Sequence, residues 1–162
     1  GNLVVKRFSP FVLRREVGSE LKRERGEINT KAGSTFLPQN FEPDFIVIDS
    51  LSSVLNAFSG EGMEYRKYVE DLFRYLEGLD CTSFLISETM EDSMKYSPTG
   101  VEEFLADGVI VLYNFRKGNV RERAIEVLKM RGSKHQRKLV AMSIDDEGID
   151  VYPGQEVFSA VE

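Results

Sequence analysis

Phe45-Ile46-Val47-Ile48-Asp49-Ser50, followed by Leu51-Ser52-Ser53, is the stretch whose reading decides the fold. Four apolar residues run without a polar break and end on one carboxylate. Pro43 and Asp44 bound the run before it, and serines bound it after. A half-exposed strand alternates polar and apolar residues, so the run predicts a strand buried on both faces. In open α/β sheets ligands bind outside the carboxyl ends of the strands, which sets Asp49 where a ligand is met. Asp and Ser are equally at home as caps of a following helix, and local sequence leaves both roles open.

The flanking chain supplies the context. Tyr65, Tyr68, Val69, Leu72, Phe73, Leu76 and Leu79 recur at helical spacing and predict a core-facing stripe. Thr82 to Glu88 is a second apolar run with a polar end. Strand 45–49, helix 63–79 and strand 82–87 then make a crossover unit, with parallel strands and a right-handed connection. Ser87 and Glu88 are expected beside Asp49 at one sheet edge. Between these elements, Leu51 to Phe58 predicts a short helix ending at Gly60. Met90 to Thr99, with Pro98, predicts a loop over that edge, and Gly100 to Ala106 a short helix.

Upstream, Asn2 to Phe8 predicts a short strand, and Pro10 opens a helix, a favoured place for proline. Phe11, Leu13, Val17 and Leu21 form its expected apolar stripe, with Gly26 as its stop. Residues 27–43, with Gly33, Pro38 and Pro43, predict a loop. Downstream the pattern changes. Val109 to Phe115, residues 121–131, Leu139 to Ile144 and Ile149 to Tyr152 read as strands joined by turns at 116–119 and 145–148, an antiparallel meander. The fold class is α/β, and the chain is expected to be a single domain over 1–162.

Composition narrows the function classes. A hydrophobic fraction of 41% with 30% charged residues is that of a soluble globular protein. No apolar run approaches the roughly 20 residues of a membrane helix, so no membrane partner is expected. Cys81 is the only cysteine, which excludes an internal disulfide and fits a reducing cytoplasm. A net charge of −6 argues against general nucleic-acid binding, although basic residues cluster at 14–25 and 129–138.

The second informative stretch is Val127 to Lys138. On a strand, Lys129 and Arg131 share a face. Gly132 and Ser133 then turn the chain, leaving Lys134 and His135 at the tip. Two cations beside a glycine turn suit a triphosphate, where charge accumulates during phosphoryl transfer. A solvated basic hairpin fits the same residues. His135 is the only histidine, and neither a Gly-x-Ser-x-Gly motif nor a zinc set accompanies it. A hard cation held by Asp49 and phosphate oxygens suits the donors. Neither Gly-x-x-x-x-Gly-Lys-Ser/Thr nor Gly-x-Gly-x-x-Gly occurs in the 162 residues.

The order FIVIDSLSSV, TSFLISET, TGVEEFLADGVIVLYN, RAIEVLKMRGSKHQRK and IDDEGIDVYPGQEVF resembles the KaiC-like branch of the RecA-type ATPases, particularly the archaeal single-domain members. GVEEFLADGVIVL together with LKMRGSKH carries most of that resemblance. It implies a RecA-like sandwich whose central sheet is parallel in the Walker B region, followed by the antiparallel meander. Asp49 matches the Walker B aspartate that positions Mg²⁺, with Ser50 beside it. Ser87 and the catalytic Glu88 match the polar end of the neighbouring strand. Lys129 and Arg131 match the Lys-x-Arg pair that reaches a neighbouring subunit's ATP, with Gly132, Lys134 and His135 at the same interface.

The resemblance further implies ATP and Mg²⁺ as cofactors and self-association into a ring. Gly1-Asn2-Leu3 aligns well inside the family domain, so these residues correspond to its C-terminal two-thirds, without the Walker A part. The expected partners are further copies, in a ring or a swapped dimer, or a chain that supplies the missing P-loop part. A non-catalytic assembly or regulatory module is the alternative. A DNA recombination or repair accessory role is the least favoured reading.

Overall fold

Pro10 opens the first helix, α1 (Pro10–Glu24), in a computed structural model of the chain. Ser9 caps it: the Val12 amide donates to Ser9 Oγ at 3.3 Å, and the Leu13 amide to Ser9 O at 3.1 Å. The structure describes residues 3–24, 37–38, 41–55, 58, 62–89, 96–97, 100–155 and 157. The expected stop at Gly26, most of the 27–43 loop, the Gly60 stop and most of the 90–99 loop lie outside them, as does the side chain of Leu21. The chain divides into two units, Gly1–Leu105 and Ala106–Glu162.

In the first unit, β1 (Phe45–Asp49) is followed by α2 (Leu51–Leu55), α3 (Gly62–Glu77), β2 (Thr82–Ile86) and α4 (Val101–Leu105). β1 and β2 pair in parallel, Phe45 opposite Thr82 and Asp49 opposite Ile86, with α3 as the crossover. The helical stripe is the core: Tyr65, Tyr68, Val69, Leu72 and Leu76 are buried, with Phe73 and Leu79 packed at its margin. Leu13 and Val17 join it from α1. Phe11 does not. At about 100° per residue it sits two positions, and so roughly 200°, away from Leu13, and it is exposed.

Two further expectations are corrected. Burial on both faces fails for β1: Phe45 and Val47 are 67% and 63% exposed, while Ile46 and Ile48 pack on the core. β2 repeats the pattern, with Phe84 and Ile86 at 51% and 42%. An unbroken apolar run demands cover on both faces, and among the described residues of this unit only one face of the pair has it. Likewise, Leu3 to Ser9 form no regular structure. Their strand-like sequence has no ladder partner among the described residues, and a strand exists only as a paired element.

A buried polar cluster ties α4 to α3. Tyr65 Oη donates to Glu102 Oε1 at 2.8 Å, and Ser97 Oγ donates to Glu102 Oε2 at 2.7 Å. Burial, reinforced by the bond to Glu102, pushes the Tyr65 hydroxyl above the usual tyrosine range.

The second unit is the expected meander: β3 (Gly108–Lys117), β4 (Val120–Met130), β5 (Val140–Asp145) and β6 (Gly148–Tyr152), in sheet order β3-β4-β5-β6. Every ladder is antiparallel. Gly118, at φ 61°, permits the left-handed β3–β4 turn. Asp145 Oδ1 accepts the amides of Glu147 and Gly148 at 2.9 and 3.2 Å and closes the last hairpin.

Candidate functional site

The β1–β2 edge collects one group of candidates. Asp49 is the last residue of β1, and its register partner Ile86 is followed directly by Ser87 and Glu88. The cap question resolves on Ser50. Its Oγ accepts the Ser53 amide at 3.4 Å and lies 3.3 Å from Ser53 Oγ, so Ser50 caps α2. Asp49 is left outside the cap, exposed, on the same face as Phe45 and Val47. The Asp49–Ser50 peptide is cis.

Ser52, which sequence reasoning missed, fixes the other half of this edge. Its Oγ accepts the Glu88 amide at 2.8 Å, linking α2 to the end of β2 across 36 residues of sequence. Nothing local marks Ser52 apart from its neighbour Ser53. Ser87 Oγ is buried and has no hydrogen-bond partner among the described residues. The edge therefore offers an exposed carboxylate, a held backbone and one hydroxyl with unused bonding capacity.

The second group lies in the meander. β4 ends at Met130, so Arg131 stands in the turn and not on the strand where a common face with Lys129 is expected. A bulge precedes the turn: Val109 pairs with Lys129 but Ile110 with Val127, which leaves Leu128 opposite no residue. The extra residue resets the alternation and re-aims the side chains beyond it. Arg131 is tied twice to Asp107, its amide to the carbonyl at 2.8 Å and its guanidinium to Oδ1 at 3.0 Å. Asp107 is the second residue the sequence did not single out.

Gly132, at φ 69°, turns the chain and leaves Lys134 exposed. His135 Nδ1 lies 3.5 Å from Ser133 O, and its Nε2 is buried without a partner among the described residues. Thus Asp49, Ser50, Ser87 and Glu88 share one edge of the first unit. Lys129, Arg131, Gly132, Lys134 and His135 share one strand end and turn of the second.

Mg²⁺ keeps several waters and is held by one or two carboxylates plus phosphate oxygens, so one accessible aspartate fits it. No group of three His, Cys, Asp or Glu side chains able to hold a metal occurs among the described residues. No helix among them is long and apolar enough to cross a membrane.

Comparison with known proteins identifies the family and the fold. The family described as "ATPase: KaiC" matches residues 15–156. The circadian clock oscillator protein KaiC 1 of Synechocystis sp. is 30% identical over 115 residues, 71% of this chain and 22% of that protein. KaiC of Parathermosynechococcus lividus is 32% identical over 111 residues, 67% of this chain and 20% of that protein. The chain thus spans about a fifth of the length of these curated relatives. The crystal structure of KaiC-like protein PH0186 from Pyrococcus horikoshii OT3 superposes with a TM-score of 0.66 at 27% identity, covering 93% of this chain and 60% of that one. A mixed α/β fold with a parallel strand pair, an antiparallel meander and a family match over most of its length establish that this chain belongs to the KaiC ATPases.

Proposed function

We propose that the chain contributes to an ATP-hydrolysing site of the KaiC/RecA type. The observation that carries the reading is Asp49, an exposed carboxylate at the carboxyl end of a parallel strand, in a KaiC-family chain. Asp49 holds Mg²⁺ as the Walker B residue, Ser50 and Ser87 support the nucleotide side, and Glu88 acts beside them at the reacting phosphate. When bound there, the ion would supply positive charge that offsets the charge developing on the transferred phosphoryl group. Lys129 and Arg131 serve an ATP held by a neighbouring subunit, and Gly132, Lys134 and His135 shape that contact. The chain works as one RecA/KaiC-like domain, the C-terminal two-thirds of the family's, in a homo-oligomer or with a polypeptide carrying the P-loop part.

The test is Mg²⁺-dependent ATP turnover by this chain coexpressed with the part of PH0186 that it does not match. Asp49→Ala is expected to abolish turnover. Lys129→Ala and Arg131→Ala are each expected to lower it by about 10³-fold or more, the effect of a cation supplied in trans. Unchanged turnover in both cation variants ends the trans role.

The exposed apolar face of β1 and β2 favours a second reading, a non-catalytic assembly module. A defined oligomer by light scattering, together with no turnover in any combination, would select it.

A further inference from the structure

β3 begins and β4 ends at one corner of the meander, where Gly108 pairs with Met130. Asp107 stands one residue before the first of these strands and Arg131 one residue after the second. A Cβ added to Gly108 would lie 3.3 Å from Met130 Sδ and 3.4 Å from its Cε, so any side chain there would press on Met130. With only hydrogen at that position the two strand ends close, and the Arg131 amide donates to Asp107 O at 2.8 Å. Beside that bond, Arg131 Nη1 donates to Asp107 Oδ1 at 3.0 Å.

The two bonds do different work. The amide bond and the ladder fix where the chain turns, and changing the side chain of Asp107 removes neither. The carboxylate bond fixes only where the guanidinium stands. It adds little to stability, because the side chains of Arg131 and Asp107 are 53% and 85% exposed and exposed ion pairs are worth little. Nor does it help the turn attract an anion, since a carboxylate offsets the neighbouring positive charge. What the pair does supply is orientation. An arginine side chain has many rotamers, and one already held in place loses less freedom when its ligand arrives.

We propose that Asp107 is a positioning residue for Arg131: its carboxylate, set by the backbone bond beside it, aims the guanidinium at the phosphates of a nucleoside triphosphate. The inference rests on the trans role proposed above for Arg131. Asp107 acts only through Arg131 and does not meet the phosphate, because two anions in contact repel. A carboxylate that merely parked the guanidinium would act in the opposite sense. Removing it would free the cation and raise turnover.

The test has two readouts on the full chain. The first is nitrogen-15 NMR of the Arg131 Nε–H group in the chain alone, without nucleotide. That group is expected to be ordered in the wild type and in Asp107→Asn, whose amide oxygen still accepts, and mobile in Asp107→Ala. The Arg131 backbone amide should stay protected from hydrogen exchange in both variants, because the turn does not depend on the carboxylate. Equal Nε–H mobility in wild type and Asp107→Ala overturns the proposal, and so does loss of the amide protection, which would make Asp107 a residue of the turn alone.

The second readout is Mg²⁺-dependent ATP turnover by the coexpressed pair. Asp107→Ala is expected to lower kcat about tenfold to a hundredfold and to leave KM within about twofold, the effect of misplacing a group at the reacting centre. Asp107→Asn should stay within about threefold of the wild type, since it keeps the hydrogen bond. A higher kcat, or a changed KM with kcat unchanged, overturns positioning. The failures separate. If Arg131→Ala lowers turnover and Asp107→Ala does not, the trans role stands and this one falls. Turnover that neither variant alters, or no turnover at all, ends the trans role and this inference with it.

Discussion

Tyr65 and Tyr68 occupy neighbouring positions of one helical stripe and meet opposite fates. Tyr65 Oη donates to Glu102, whereas Tyr68 Oη is buried with no partner among the described residues. Burial raises both hydroxyls above the ordinary tyrosine pKa. A buried, unpaired hydroxyl costs about 1–3 kcal/mol, so Tyr68→Phe should stabilise the chain by about 1 kcal/mol, and Tyr65→Phe, which removes the hydrogen bond to Glu102 Oε1, should cost about as much. The raised values fix a sign as well. Below about pH 10 folded and unfolded chains both hold these protons; above it the unfolded chain releases them first, and stability falls by up to about 1.4 kcal/mol per pH unit for each tyrosine. Urea unfolding at pH 8 and pH 11 checks this, and a drop that Tyr68→Phe leaves undiminished refutes it for Tyr68. The tyrosines were legible as core from their spacing. Glu102 was not, because an acidic residue in the first turn of a short helix reads as solvated and its partner lies 37 positions away.

Among the elements, α3 and the β1–β2 pair carry unequal shares of the stability. Leu72 is buried against the helical and strand core, so Leu72→Ala should cost about 3 kcal/mol. Phe84, of the same apolar class, stands on the open face, and Phe84→Ser in the lone chain should change stability by no more than about 0.5 kcal/mol. Equal shifts in urea midpoint for the two variants would show that the open face is covered in solution. The existence, order and pairing of the elements followed from periodicity and turn residues, down to the parallel crossover and the meander. Their cover did not. An unbroken run at 45–48 states what both faces of a strand require, but whether the chain itself meets the requirement depends on residues far away. The same gap explains residues 3–8, whose β-rich sequence lacks a neighbour among the described residues, and Arg131, which stands past the end of β4 and beyond a bulge that no local pattern announces.

At the scale of the molecule, the chain belongs to the KaiC ATPases, and each group of candidate residues stands within one of its two units. Asp49 and Glu88 were legible as a pair because strand ends in parallel sheets fall at one edge. Ser52 and Asp107, which hold that edge and the basic turn, depend on contacts only the folded chain makes. The uncovered apolar face of β1 and β2 also has a thermal consequence. Unfolding a chain of 162 residues ordinarily raises the heat capacity by about 2 kcal/mol/K. Phe45, Val47, Phe84 and Ile86 are already wet before unfolding and add little to that increment. Scanning calorimetry should therefore return a value below the ordinary one, and a value at or above it would mean the face is dry. A smaller increment bends the stability curve less, so the lone chain should lose less of its stability on chilling than most proteins of its length.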